Sequence, residues 1–264
     1  MSVTNQPDVS IVIPAFNEAG RLPASLGQIR AYLDFQPLTV EVLVMVERST
    51  DDTLRLAREA VAGDERFQVV DGQVQRGKGY AVRNGMLKAR GGLVFFMDAD
   101  LSTPLEEIAD FIGHFKAHPR TDIIIGSRAL AHSRVEKPQG ALRQTMGRTF
   151  NRLVKRFGVP GITDTQCGFK AFRQAAAREI FTRQKLDGFA FDVEVLMLAR
   201  ALDYRVDVKP VRWINSPDSR VDILWDSARM LRDLVRLRAL VRRTLKAQPA
   251  GAGPAGAERS AEPN

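Results

Sequence analysis

Two aspartates separated by one small residue, Asp98-Ala99-Asp100, end the apolar run Phe95-Phe96-Met97. Carboxylates held this close repel each other, and a bound cation removes the repulsion. Their hard oxygens suit Mg²⁺ or Mn²⁺, and such an ion can bridge a diphosphate. Asp-x-Asp is a common tripeptide that a solvated strand end carries equally well, so neighbouring segments must decide its meaning.

Upstream, Val9-Ser10-Ile11-Val12-Ile13 stops at Pro14, and Ala15-Phe16-Asn17-Glu18 leads into a helical pattern. Polar groups at such a junction can hold a ribose or a base edge. Equally, Pro14 ends a strand and Asn17 caps a helix. Between these segments lies Gln75-Arg76-Gly77-Lys78-Gly79-Tyr80-Ala81. Two glycines around a lysine let the backbone approach an anion at a helix N-terminus. The GxxxxGK[ST] spacing of a P-loop is absent, and a tight turn with an exposed lysine would read the same way.

These motifs need a scaffold that brings them to one place. Short β-branched runs predict strands at 9–13, 40–46, 67–70, 93–97 and 122–125, with helices at 19–33, 50–62, 79–89 and 105–117 between them. Ser49 with Asp52 resembles a capping box for the second helix. Strict alternation implies parallel βαβ units, whose ligands lie outside the carboxyl ends of the strands. The polar motifs fall at several of those ends. Beyond them, 126–140 reads as a loop bearing Arg128, Arg134 and Lys137, with Arg143 just past it. A helix at 142–157, a strand at 165–171, a helix at 191–202 and a strand at 205–214 follow.

The expected domains are a catalytic unit at 1–221, a basic amphipathic helix at 222–246 and a disordered tail at 247–264. In the helix, Met230, Leu234, Leu237, Val241 and Leu245 form an apolar stripe, and Arg229, Arg232, Arg236 and Arg243 form another. Seven basic residues against three acidic ones give that span a net +4. Such a helix suits the plane of an anionic membrane, or it packs its apolar side on the catalytic unit.

Composition sets outer limits. The 264 residues are 44% apolar, enough for a buried core. Cys167 is the only cysteine, so no internal disulfide forms, as expected in a reducing compartment. The three histidines, His114, His118 and His132, fit no Cys/His zinc pattern. A net charge of +8 suits an anionic partner: nucleic acid, acidic lipid or a phosphorylated substrate. No recognisable nucleic-acid module accompanies it, so no nucleic acid is expected, and a basic nucleic-acid-binding protein is the non-enzyme alternative. The polar start predicts no secretory signal, and no run approaches the ~18 apolar residues of a spanning helix. The expected location is cytoplasmic, peripheral at the inner face of a membrane.

Taken in order, the segments from Val9 to Val221 resemble the family 2 glycosyltransferases with the GT-A fold, an α/β architecture with a mixed, mainly parallel sheet flanked by helices. The resemblance is nearest to the branch that charges polyprenyl phosphates, including dolichyl-phosphate glucosyl- and mannosyltransferases. Gly126-Ser127-Arg128, Asp164-Thr165-Gln166-Cys167-Gly168-Phe169-Lys170, Phe191-Asp192-Val193-Glu194 and Ser219-Arg220 complete the match.

The resemblance implies that Pro14, Phe16, Glu18 and Glu47 line the nucleoside pocket. It puts Asp98, Ala99 and Asp100 at the metal and diphosphate, with Lys78 and Arg220 near the donor. Arg128, Arg143 and Gln166 would meet the acceptor, and Asp192 would be a carboxylate on the acceptor side, a helix N-cap being its alternative role. Relatives usually read Asp-Asp-Gly-Ser where this chain has Val46-Glu47-Arg48-Ser49, so Glu47 takes over base recognition or the base is read differently. Ser102 stands where mannosyltransferase relatives often place a glutamine metal ligand.

The implied reaction is an inverting transfer of a hexose, UDP-glucose being favoured, to a polyprenyl phosphate at a membrane surface. GDP-mannose as donor, a soluble phosphorylated or carboxylated acceptor, and an inactive sugar-nucleotide-binding relative are the alternatives.

Overall fold

Strands that bury both faces read as continuous apolar runs, and β1 (Val9–Ala15) and β2 (Val40–Val46) are buried along almost their whole length. The computed structural model describes residues 6–130, 133–135, 159, 161–162, 164–214 and 223–247. In it, β1 pairs in parallel with β2 on one side and with β4 (Leu93–Phe96) on the other, and β3 (Phe67–Asp71) pairs in parallel with β2. Beyond β4 comes β7 (Lys170–Arg173), antiparallel to both β4 and β5 (Ile123–Ser127), and β8 (Val206–Pro210) closes the sheet parallel to β5. The seven-stranded order is therefore β3-β2-β1-β4-β7-β5-β8. A small parallel pair, β6 (Arg134–Val135) with β9 (Arg212–Trp213), stands apart from it.

Alternation along each strand divides the core into two layers. Ile11, Ile13, Val42, Val44 and Phe95 face α1 (Leu22–Leu33), α2 (Thr53–Ala60) and α4 (Glu106–Ala117). Val12, Leu43, Met45, Val94 and Phe96 face α3 (Lys78–Lys88), α5 (Gln174–Arg183), α6 (Phe191–Ala201) and α7 (Ile223–Ala247). Phe95 packs near Phe169 and Phe111, and Phe96 near Phe172 and Phe191. Each buried phenyl group contributes about 1.5–3 kcal/mol. Two carboxylates in water repel by only about 1 kcal/mol at ~4 Å. Aromatic burial on both faces can thus hold the end of β4 in place against the charge that follows it.

Some boundaries differ from expectation. The second helix starts at Thr53, not 50, and Ser49 does not cap it; the Ser49 hydroxyl accepts the Asn17 N–H instead. The strand expected at 165–171 runs from Lys170 to Arg173, because 164–169 is occupied with side-chain contacts at the site. The single strand expected at 205–214 is two: the Val211 N–H still donates to Ser127 O at 3.2 Å, and Arg212–Trp213 then pair with β6 instead of β5. Helix α5 was not anticipated: Gln174-Ala175-Ala176-Ala177 follows a strand with no break to announce it. The helix expected at 142–157 lies outside the described residues.

In the last turns of α7, Leu237, Val241 and Thr244 are buried, while Arg236, Arg238, Arg242, Arg243 and Lys246 are exposed. The apolar stripe there packs into the second core layer, so the outward face over those turns is mainly charged. Among the described residues, no helix is long and apolar enough to cross a membrane.

Candidate active site

Met97 extends the β4 ladder by one bond, its N–H donating to Val12 O at 3.0 Å, and the chain then turns. The turn needs Leu101 at a positive φ of 49°, a conformation costing a branched residue about 1 kcal/mol. Asp100 Oδ1 accepts the Ser102 N–H at 3.0 Å, and Ile214 donates to Ser102 O at 2.8 Å. Strain at this turn is thus held by bonds from its own carboxylate and from the end of β9. Ser102 is buried.

Asp98 is set from behind by Gly168. A Cβ on that glycine would lie 1.9 Å from Asp98 Oδ2, so the carboxylate rests directly on the Gly168 backbone. In front, Lys78 Nζ donates to Asp98 Oδ1 at 2.5 Å. Burial pulls the Lys78 ammonium pKa down, but Asp98, Asp192 and Asp100 outweigh it and hold the pKa above its ordinary value. Arg21, itself bound to Glu18, approaches Asp100 Oδ2 at 3.9 Å.

Lys78 opens α3, and its loop is held by Glu47. One buried oxygen of that carboxylate accepts the N–H groups of Arg76 (2.9 Å) and Gly77 (2.8 Å). Gly77 has φ +123°, open to glycine alone at low cost. The altered segment after β2 therefore supplies a bracket for the lysine loop. A cavity of about 640 Å³ lies beside it, lined in part by Glu47, Arg48, Ser49, Asp71 and Gln73.

The β1 junction is locked to the same segment. Asn17 adopts φ 53°, its side-chain oxygen accepts the Thr50 N–H at 2.8 Å, and the Glu18 N–H donates to Thr53 Oγ1 at 2.7 Å. Pro14, Phe16 and Glu18 are half-buried around it, and Ala99 is buried beneath the turn.

On the other side of Asp98, Asp192 is buried on α6 and makes no helix cap. Its Oδ1 accepts from Lys170 Nζ at 2.5 Å, and the same ammonium donates to Cys167 O at 2.7 Å. Lys170 lies directly across from Phe96 in the β4–β7 register, one step before the acidic turn. Burial raises the Asp192 pKa, with Lys170 and Lys78 opposing it. Arg128 forms a two-nitrogen fork on Asp164 (2.8 and 2.7 Å) and lies 4.7 Å from the Trp213 ring centre. Burial lowers the Arg128 pKa, but the Asp164 contacts raise it further. Gln166 is half-buried in the same loop. Arg143 and Arg220 lie outside the described residues.

A buried pair broken on one side leaves an uncompensated charge, which costs about 3–5 kcal/mol. Lys170→Met is expected to lose that much at neutral pH. The Asp192 pKa already lies above its unfolded value, so its ionisation costs stability as pH rises, more so without the lysine. Urea unfolding at pH 5 and pH 8 should show the smaller loss at pH 5; equal losses would contradict the assignment.

The site thus gathers Asp98, Asp100, Lys78, Asp192 and Arg128 at the carboxyl ends of β4, β5 and neighbouring elements. Residues 10–181 match the family model described as glycosyl transferase family 2. The chain belongs to that family. It is similar to the dolichyl-phosphate beta-glucosyltransferase of Drosophila melanogaster, with 36% identity over 86% of this chain and 73% of the relative. It is also similar to the enzyme of that name from Saccharomyces cerevisiae, with 32% identity over 87% and 74%. Among solved structures, the glucosyl-3-phosphoglycerate synthase of Mycobacterium tuberculosis with Mg²⁺ and UDP superposes with a TM-score of 0.64. It covers 89% of this chain and 79% of that one at 17% identity, a likeness of fold. The transferase therefore has the GT-A architecture, and its acidic turn follows the fourth strand.

For a divalent ion the residues of the transferase fit. Asp98 and Asp100 offer hard oxygens, and Mg²⁺ commonly takes one or two carboxylates together with substrate phosphates and water. Thr103 Oγ1 and Thr165 Oγ1 are buried without a partner among the described residues, in the two loops that meet at Asp98 and Gly168. No cluster of three or more acidic, His or Cys ligands forms among the described residues. The donor's phosphates and water are natural further ligands for such an ion.

Several residues that build the transferase site were not singled out by sequence reasoning. Arg21 is an ordinary helix-start arginine, and only the fold brings it to Asp100. Gly168 and Lys170 belong to a quoted motif, and the signal was present: a glycine and a lysine two apart beside an apolar run.

Proposed function

We propose that this chain transfers glucose from UDP-glucose to a polyprenyl phosphate of the dolichyl type, inverting the anomeric centre, at an anionic membrane surface. The similarity to dolichyl-phosphate beta-glucosyltransferases over 86% of the chain carries this reading. The site's charge distribution supports it.

On the donor side, Pro14, Phe16, Glu18 and the 47–49 segment would enclose the nucleoside beside the 640 Å³ cavity. Asp98 and Asp100 would hold Mg²⁺ or Mn²⁺, which when bound acts as a Lewis acid on the departing diphosphate. Lys78, already within 2.5 Å of Asp98, would place its ammonium on the diphosphate as negative charge grows there.

On the acceptor side, Arg128 has two nitrogens fixed on Asp164, which aims the guanidinium and leaves Nη1 for a phosphate oxygen. A phosphate monoester has its second pKa at ~6, so it is largely dianionic at neutral pH and attacks without losing a proton. A general base is then unnecessary. Asp192 fits that conclusion: buried on Lys170, it serves to fix charge at the back of the site. Gln166 and Arg143 would complete the acceptor phosphate contacts, with Arg220 on the donor side. The outward arginines of α7 would attract anionic headgroups.

The test is transfer from radiolabelled UDP-glucose to polyprenyl phosphate in anionic vesicles, with GDP-mannose as rival donor and 3-phosphoglycerate as rival acceptor. The expected product is an organic-extractable, acid-labile glucolipid. Glucose appearing only on the soluble acceptor would overturn the proposal, and preference for GDP-mannose would overturn the donor assignment.

A further inference from the structure

The lysine loop is bracketed on its second side by a strap that no quoted motif contains. Segment 184–187 runs alongside Gly77–Tyr80. The Tyr80 N–H donates to Asp187 O at 3.1 Å, and Gln184 Nε2 donates to Gly79 O at 3.2 Å. The approach leaves no space. A Cβ at Gly77 would lie 2.7 Å from Asp187 O, and one at Gly79 would lie 2.5 Å from Leu186 O. The Asp187 carboxylate adds ion pairs to Arg76 (2.6 Å) and Arg83 (2.9 Å).

The strap is held in turn by Glu194. This carboxylate is fully buried on α6, two residues past Asp192. One oxygen accepts the Lys185 N–H at 2.8 Å and the other the Leu186 N–H at 2.7 Å. An isolated carboxylate in such a place costs several kcal/mol, and backbone donors offset that cost when both oxygens are used. The same first turn of α6 thus serves two tasks: Asp192 meets Lys170, and Glu194 fixes the strap.

We propose that Glu194 is a positioning residue for donor binding, acting through 185–187 to hold Gly77-Lys78-Gly79 in place. It touches neither the donor nor the reacting atoms. The inference rests on the reading of Lys78 as the donor's diphosphate contact.

Glu194→Gln keeps size and shape, but its amide nitrogen faces one of the two N–H groups and leaves that donor without an acceptor. The expected result is a donor KM about tenfold higher, with acceptor KM within about twofold of the parent. Amide exchange followed by mass spectrometry should speed up in 76–80 and 185–187 and stay unchanged in β1 and β2. A folded Glu194→Gln protein with unchanged donor KM and unchanged exchange in 76–80 would overturn the proposal. Should that variant fail to fold, Asp187→Asn on the same strap decides, with the same readings expected and the same null results overturning it. The exchange measurement needs no donor. If the parent protein binds no sugar nucleotide, the Lys78 assignment fails, while faster exchange in 76–80 still shows the Glu194 bracket at work.

Discussion

Asp98→Asn and Asp100→Asn should each lower the transfer rate by about 10³-fold or more, because each removes half of the only paired carboxylates at the acidic turn. The fold should survive. Among the described residues Asp98 binds Lys78, and Asp100 binds its own turn and pairs with Arg21, so neither supports the core. Their circular dichroism and melting temperature should match the parent within a few degrees. Asparagine keeps the shape and one oxygen, which separates loss of charge from loss of contact. If initial-rate assays with saturating UDP-glucose and Mn²⁺ showed near-parental turnover in both variants, the acidic turn would not be the diphosphate end of the site.

Gly168→Ala should be nearly as damaging, by a different route. The added methyl would stand 1.9 Å from Asp98 Oδ2 and 2.4 Å from its carboxyl carbon, well inside van der Waals contact. The carboxylate must swing or the 164–169 loop must shift. That loop also carries Asp164, which aims Arg128, so donor and acceptor ends would be disturbed together. The expected loss is about 10²-fold or more in turnover, with a stability cost of about 1–3 kcal/mol from overpacking. Gly113→Ala on α4 is the matching control: nothing lies within 4 Å of its added carbon, and alanine there should leave activity unchanged while stabilising the helix by about 0.5–1 kcal/mol. Parental rates for Gly168→Ala would show that Asp98 can do its work from another position.

The fold was legible where the signal was local. Val9–Ala15 and Val40–Val46 are long β-branched runs buried on both faces, and such runs have few alternatives to a central parallel sheet. The acidic turn was legible for the same reason, since a charged pair directly after Phe95-Phe96 must sit at a strand end. Contacts closed by the tertiary fold were not legible. Lys170 and Asp192 are 22 residues apart and meet only because β7 inserts antiparallel between β4 and β5. Nothing in the spacing announces that insertion. Glu47 shows the middle case: the sequence marked it as unusual, but the two N–H groups that it accepts lie 29 and 30 residues away. Strain was invisible as well, because Leu101 has a positive φ that its residue type disfavours and that only its neighbours impose.

One measurement bears on the central claim most directly: calorimetric titration of UDP-glucose into the parent and into an Asp98→Asn, Asp100→Asn double variant, each with Mn²⁺ and with chelator. The account predicts that Mn²⁺ tightens binding to the parent by about tenfold or more and has no effect on the double variant. Equal affinity for the parent with and without the ion, or an ion effect that persists after both carboxylates are gone, would contradict it.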